Sequence, residues 1–299
     1  MRSPKLCLAA CLAAAIATPA GAAAPTGTLK KIADSGTIVI GHRDSAIPFA
    51  YLADGSKPAG YSIDLAGKVV EAVRKELGRP NIAVRYALVT GQTRIPLLVN
   101  GTIDLECGAT TNNAERAQQV DFSVGIFSIG TRLMTHKASG IRDFADLKGK
   151  NVVVAAGTTS ERILRKMNAD ANMGLNIVSA KDNGEAFLML ETQRVAAFMS
   201  DDAMLYGERA KARVPTDWIV TGTPQSREVY GCMVRKGDTA FKAVVDKALK
   251  AVYASGEIER IYQKWFMQPI PPKGLNMNFP MSPEWRALIR KPNDQPAGR

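Results

Sequence analysis

The sequence predicts an α/β fold, arranged as two lobes around one small ligand. Three observations lead there. Strand-like runs rich in β-branched residues alternate with amphipathic helical runs along the whole chain, the pattern of α/β architecture. Two turns, Gly108–Arg116 (GATTNNAER) and Gly157–Arg162 (GTTSER), each follow an apolar run and open a polar segment that reads as a helix start. Glycine lets the backbone bend there, Thr110, Thr111 and Asn112 can each cap a helix, and the open amides of a helix start favour an anion. The two turns also lie on separate strand–helix units, which suits a ligand held between lobes.

Residues 1–22 stand apart. Arg2 and Lys5 precede an apolar run, Leu6 to Ala17, and Ala20-Gly21-Ala22 supplies a small-residue cleavage pattern. This reads as a cleavable export signal, with Leu8-Ala9-Ala10-Cys11 as a competing lipoprotein box. The chain carries 39 Lys+Arg and 28 Asp+Glu, a formal charge of +11. Without residues 1–22 it carries 37 and 28, or +9. The basic residues are dispersed and form no basic stripe, which argues against nucleic acid as partner and for a solvated surface that draws in an anion. Cys107 and Cys232 are expected to pair in an oxidising compartment; two buried free thiols are the alternative. With two histidines and no CxxC pair, the sequence offers no metal site.

Thr37–Ile40 reads as a strand that delivers Arg43 to its C-terminal end, where open α/β sheets bind ligands. An exposed loop arginine is the plainer reading. Ser62 is the expected cap of a helix with Ile63, Ala66, Val69, Val70, Val73 and Leu77 on one face. A strand at 81–89, a short helix Gln92–Asn100 bearing Arg94, and a strand Thr102–Cys107 follow. Residues 120–123 and 127–135 are extended enough to cross between lobes. Asp143–Lys150 is a short helix closed by Gly149, leading to a strand at 152–156, a helix at 160–168 and a strand at 175–178. The helix opened by Lys181-Asp182-Asn183 packs through Phe187, Leu188 and Leu190. Val195–Met199 ends in Ser200-Asp201-Asp202, so Asp201 either meets an ammonium group or caps the next helix. Strands at 218–220 and 229–234, the second recrossing, precede helices at 238–255 and 256–266. Pro269 to Pro272 then forces residues 270–299 into an extended tail.

Nucleotide-binding fingerprints and hydrolase elbows are missing from the sequence. A polar set remains: Arg43, Arg94, Thr111, Thr159, Asn183 and Asp201. Two guanidinium groups and a carboxylate suit a zwitterion with an extra acid group. On the stretches GHRDSAIPFAY, GYSIDL, TRIPLLVNGTIDLECGATTNNAER, DFADLKGKNVVV, GTTSE, SAKDNGE, FMSDDA, YGCMVRK, SGEIERIYQKWF and PIPPKGLNMNF, the chain resembles the polar amino-acid-binding proteins of ABC transporters, in their glutamate/aspartate branch. The resemblance implies a two-lobed type II periplasmic binding-protein fold joined by two crossing strands: lobe 1 at 23–128 plus 225–299, lobe 2 at 129–224. It further implies a periplasmic, cofactor-free, monomeric carrier, not an enzyme, that delivers glutamate or aspartate to a membrane permease. Arg94 would take the α-carboxylate with Thr110, Thr111 and Thr159 close by. Asp201 would take the α-ammonium, and Arg43 and Asn183 would face the side-chain carboxylate.

Three positions depart from that branch: Gly91 and Ala109 stand where serine is typical, and Asn183 where histidine is. Each removes a hydrogen-bonding group, and a lost bond to a charged group costs about 1.5–3 kcal/mol unless water replaces it. Glutamine or asparagine is therefore an alternative ligand. A dehydratase on the same scaffold, using Glu106 or Asp182, and a sensor are alternative roles.

Overall fold

The computed structural model describes residues 24–296; the expected export segment, with Cys7 and Cys11, lies outside them. The chain begins with α1 (Gly27–Ser35) and β1 (Thr37–His42), followed by a small antiparallel sheet of β2 (Ser45–Ala46), β3 (Ala50–Leu52) and β4 (Pro58–Ala59). Next come α2 (Tyr61–Glu76), β5 (Ala83–Leu88), α3 (Arg94–Val99) and β6 (Leu105–Glu106). The long β7 (Val120–His136) leads to β8 (Asn151–Ala155), α4 (Thr159–Asp170), β9 (Asn176–Ala180), α5 (Asn183–Glu191), β10 (Ala197–Asp201), α6 (Asp202–Lys211) and β11 (Trp218–Thr221). β12 (Arg227–Arg235) precedes α7 (Thr239–Ala254), α8 (Glu257–Tyr262) and α9 (Pro283–Arg290).

The main sheet runs β5-β1-β6-β12-β7-β10-β8-β9, with β11 also paired to β7. Strand β7 is the bridge. Its first part pairs antiparallel with β12, from Val120 against Arg235 to Gly130 against Arg227. Its last part, from Thr131, pairs with β10 and β11. One strand therefore belongs to both lobes, as the extended reading of 120–135 expects.

Each lobe has its own core. In the second, alternate residues point to opposite sheet faces. Val152, Val154 and Met199 pack with Leu164 of α4, whereas Val153 and Phe198 pack with Phe187 of α5. The first lobe is built on an aromatic cluster: Phe127 of β7 lies 4.8 Å from Phe49 and 4.9 Å from Phe266, ring centre to ring centre. Phe49 in turn meets Tyr230 edge-on at 5.2 Å, a geometry aromatic quadrupoles favour. This packing fixes Tyr230 at the start of the cleft. Cys107, just after β6, is bonded to Cys232 in β12, so the pairing expectation holds.

Several local expectations are corrected. Gly60 precedes α2 at a φ of 136°, and Ser62 lies inside the helix, where its hydroxyl donates to the Gly108 carbonyl at 2.8 Å. Leu188 is exposed on α5, because the helix buries Ala186, Phe187 and Leu190 instead. The segment after Pro272 is not simply extended: Ser282 accepts a hydrogen bond from the Trp285 amide, Pro283 starts α9, and Trp285 is buried against Phe127 and Tyr253. A serine cap followed by proline is a helix start that the preceding prolines hide.

Candidate functional site

The turn Gly108–Arg116 opens no α-helix. Thr111 instead forms a bridge with Tyr230 of β12; the Asn112 amide donates to the Val229 carbonyl and the Gly231 amide to the Thr110 carbonyl. Only a three-residue 3-10 turn, Arg116–Gln118, follows. The expected free helix amides are absent here because a distant strand has claimed this backbone. The second turn behaves as expected. Thr158 caps α4 by accepting from the Glu161 amide, and Gly157 takes a φ of 72°. Thr159 and Ser160 begin the helix, whose first amides lack intrahelical acceptors.

The two turns meet. A Cβ added at Gly91, just before α3, would lie 2.4 Å from the Ala156 carbonyl oxygen, and one added at Gly157 would lie 2.7 Å from the Gly91 carbonyl carbon. The lobes thus touch backbone to backbone, and the cleft is closed. Arg116, overlooked as a single residue in the sequence, is buried at this junction. Its guanidinium donates to the Thr111 carbonyl at 3.0 Å and across to the Gly157 carbonyl at 3.3 Å. Burial first, and then Arg94, lowers it to about 9. An adjoining cavity of about 620 Å³ is lined by Gly91, Gln92, Arg116, Gly157, Thr159 and Arg162 among others. Of the residues expected to bind ligand, only Thr159 lines it; all are buried.

Arg43 sits just past the end of β1, as expected, and is buried rather than loop-exposed. Its Nε and Nη2 have no partner among the described residues. Burial, and next to it the charge of Arg94, lowers it to about 10. Arg94 is buried at the start of α3 and donates from Nη1 to the Thr110 hydroxyl at 2.5 Å and the Ala109 carbonyl at 3.2 Å, leaving Nε unpartnered. The Thr110 hydroxyl in turn donates a hydrogen bond to Glu106 at 2.8 Å, so it links Arg94 to Glu106. Burial raises the Glu106 carboxyl, against the pull of Arg94. Asn183 begins α5; its Nδ2 lies 3.1 Å from the Met204 sulfur and its Oδ1 is unpartnered. Together these residues form a cationic pole with open hydrogen-bonding valences.

The opposite pole is anionic. Asp201 occupies the cap position of α6 but makes no side-chain cap bond, while Asp202 accepts from the Ala203 amide at 2.7 Å. The Asp201 carboxylate is thereby free to face Thr131 and Ser160, each at 3.4 Å, and to accept from the Tyr230 hydroxyl. Burial, then the charge of Glu228, raises it to about 7. Thr111 and Thr159 do not offer their hydroxyl protons to the cleft. Both donate to Glu228 of β12, Thr159 at 2.8 Å. Nothing local in the sequence flags Glu228, whose partners Thr111 and Thr159 lie far away in the chain.

Comparisons with known proteins find relatives along nearly the whole chain. Residues 38–268 match the family described as bacterial extracellular solute-binding proteins, family 3. The L-glutamate/L-aspartate-binding protein of Pseudomonas aeruginosa is 64% identical over 296 residues, 99% of this chain and 98% of that protein. A glutamate/aspartate import solute-binding protein of Escherichia coli K12 is 52% identical over 289 residues, 96% of each chain. Among solved structures, an ancestral arginine-binding protein bound to arginine superposes with a TM-score of 0.70 at 31% identity, covering 77% of this chain and 98% of its own.

Proposed function

The chain belongs to the bacterial extracellular solute-binding proteins, family 3, and from that membership we propose that it captures L-glutamate or L-aspartate between its lobes and delivers it to the membrane components of an ABC importer. It is a binding protein and not an enzyme, as are the relatives that match it along nearly their whole length. The observation that carries the ligand reading is the bipolar cleft. Arg43 and Arg94 are buried within each other's field and carry nitrogens without a partner among the described residues, whereas the hydrogen-bonding neighbours of the Asp201 carboxylate among the described residues are hydroxyls. A second carboxylate on the ligand satisfies the first pole, as bidentate guanidinium pairs do, and an α-ammonium satisfies the second.

Roles within the site follow from adjacency. An α-carboxylate and an α-ammonium share one carbon, so their receptors must be neighbours. Asp201 touches Ser160 at the start of α4, and Arg116 reaches Gly157 just before it. This favours Arg116 and the open amides of α4 for the α-carboxylate, the role that the resemblance implies for Arg94. Arg94, oriented by Thr110, then joins Arg43 and Asn183 at the side-chain carboxylate. We further place the lobe boundaries at 23–128 with 225–299 and at 129–224, read residues 1–22 as a cleavable export signal, and assign a monomer working in the periplasm.

The test is calorimetry on protein unfolded, stripped of ligand and refolded, titrated with each common amino acid. L-Glutamate and L-aspartate are expected to bind and to lose most of their affinity on Arg43→Ala. Heat from glutamine or asparagine alone would overturn the acidic ligand. Silence with all four would overturn the amino-acid reading.

A further inference from the structure

Glu228 is buried where the two lobes and β12 converge, and among the described residues each of its four side-chain hydrogen-bond partners is a hydroxyl. One carboxylate oxygen accepts from Thr111 of the first lobe and Thr159 of the second. The other accepts from Ser226 at 2.9 Å and faces Thr131 at 3.4 Å. An ionised carboxylate can only accept. The Thr111 and Thr159 hydroxyls must therefore turn their protons toward Glu228, and what they present elsewhere is lone pairs. Lone pairs repel a ligand carboxylate and suit a donor. Thr131 also lies 3.4 Å from Asp201, so the two carboxylates face one shared hydroxyl. The other charges nearby are Asp202 on the same side and Arg116 at the turn junction.

We propose that Glu228 is a specificity-determining residue: it fixes the Thr111 and Thr159 hydroxyls as acceptors and so makes them, with Asp201, the receptor for the ligand's ammonium. The inference rests on the ligand's being an α-amino acid. It reverses the part expected of the two threonines, whose hydroxyls serve the ammonium while backbone amides and Arg116 serve the carboxylate. An ammonium has three protons to place, and Asp201 with two oriented hydroxyls accepts three. Glu228 acts at a distance, through the hydroxyls and through its own negative field.

The experiment compares L-glutamate with 2-oxoglutarate, which keeps both carboxylates and replaces the ammonium-bearing carbon by a carbonyl. Binding is measured by calorimetry and by thermal shift at millimolar ligand, on the wild type, Glu228→Gln and Thr159→Val. The amide of Glu228→Gln can donate to the threonines and turn their protons outward; Thr159→Val removes one acceptor with little change of shape. Both variants are expected to weaken L-glutamate about tenfold or more while changing 2-oxoglutarate less than about threefold. Equal losses for the two ligands would make Glu228 a brace of the closed cleft and overturn the proposal. So would a Thr159→Val protein that binds L-glutamate at wild-type strength, whatever 2-oxoglutarate does. A wild type that binds neither compound would instead fail the functional reading itself, which the amino-acid titrations show separately.

Discussion

At Gly108–Arg116 the backbone is tied to β12 and no α-helix follows; at Gly157–Arg162 a capped helix of 12 residues begins. Both turns carry Gly, Thr and a Glu-Arg pair, and each arginine reaches across to the other turn. Arg116 is buried and bonds the Gly157 carbonyl, while Arg162 is half exposed and pairs with Glu115 at the rim. The first turn is thus a rigid platform and the second supplies free amides. Similar local sequence gives different chemistry because the first turn has a strand partner and the second has none.

Removing the platform's arginine should have the largest effect. Arg116→Ala leaves the Thr111 and Gly157 carbonyls without their charged donor and takes the proposed grip from the α-carboxylate. Charge-assisted hydrogen bonds are worth about 1.5–3 kcal/mol each, so L-glutamate affinity by calorimetry should fall by about a hundredfold or more. Acid should strike the opposite pole. Asp201, raised to about 7, takes a proton as the pH falls and ceases to balance an ammonium. Affinity should drop by about tenfold per pH unit below that value. The unliganded protein should move the other way. Between the ordinary carboxyl range and about 7, the folded state holds a proton that the unfolded state does not, so this group's contribution to stability rises as the pH falls. Denaturant midpoints without ligand, set beside calorimetry across pH 5 to 8, separate the two trends.

Much of this comparison was legible in the sequence, for local reasons. The strand–turn–helix order around Val152–Arg162 follows from three consecutive valines, a glycine and a capping threonine, all within a few residues. The crossing role of 120–123 and 127–135 showed in their extended character, and in the fold one strand, Val120–His136, spans both. The places of Arg43 just past a strand and of Arg94 in a short helix followed from element boundaries, but their burial did not, because it depends on packing from other parts of the chain. What stayed hidden depends on chain-distant partners. Asn112 looks like a helix cap until its amide is seen bonded to Val229. Glu228 falls just before the strand expected at 229–234, and its contacts with Thr111 and Thr159 appear only in the fold. Ser62 has every mark of a cap, but its hydroxyl bonds Gly108 instead.

The contact between the second turn and the segment before α3 can be pushed apart directly. Gly91→Ala places a methyl group 2.4 Å from the Ala156 carbonyl oxygen, so the two segments must separate or the closed form must strain. Overpacking of this kind costs about 1–3 kcal/mol, and it acts only on the closed state. L-Glutamate should bind about tenfold or more weakly, with faster release in stopped-flow, while the unliganded melting temperature stays within about a degree. An equal fall in unliganded stability would mean that Gly91 matters to folding rather than to closure.

The second turn's own features should give the smallest effects. Thr158→Ala removes the α4 cap, which is worth about 0.5–2 kcal/mol, and should lower the denaturant midpoint. Binding should weaken only as far as the start of α4 frays. Arg162→Ala should do least of all. Its partner Glu115 is even more exposed, and exposed ion pairs contribute about 0–1 kcal/mol because water screens both charges and two long side chains must be held still. Glutamate affinity in 150 mM salt should change by less than about threefold. The pairing of Arg116→Ala with Arg162→Ala therefore tests the contrast itself. The two arginines occupy corresponding places in corresponding motifs, and only burial distinguishes them. Comparable losses from the two substitutions would mean that the rim pair, and not the buried junction, holds the cleft shut.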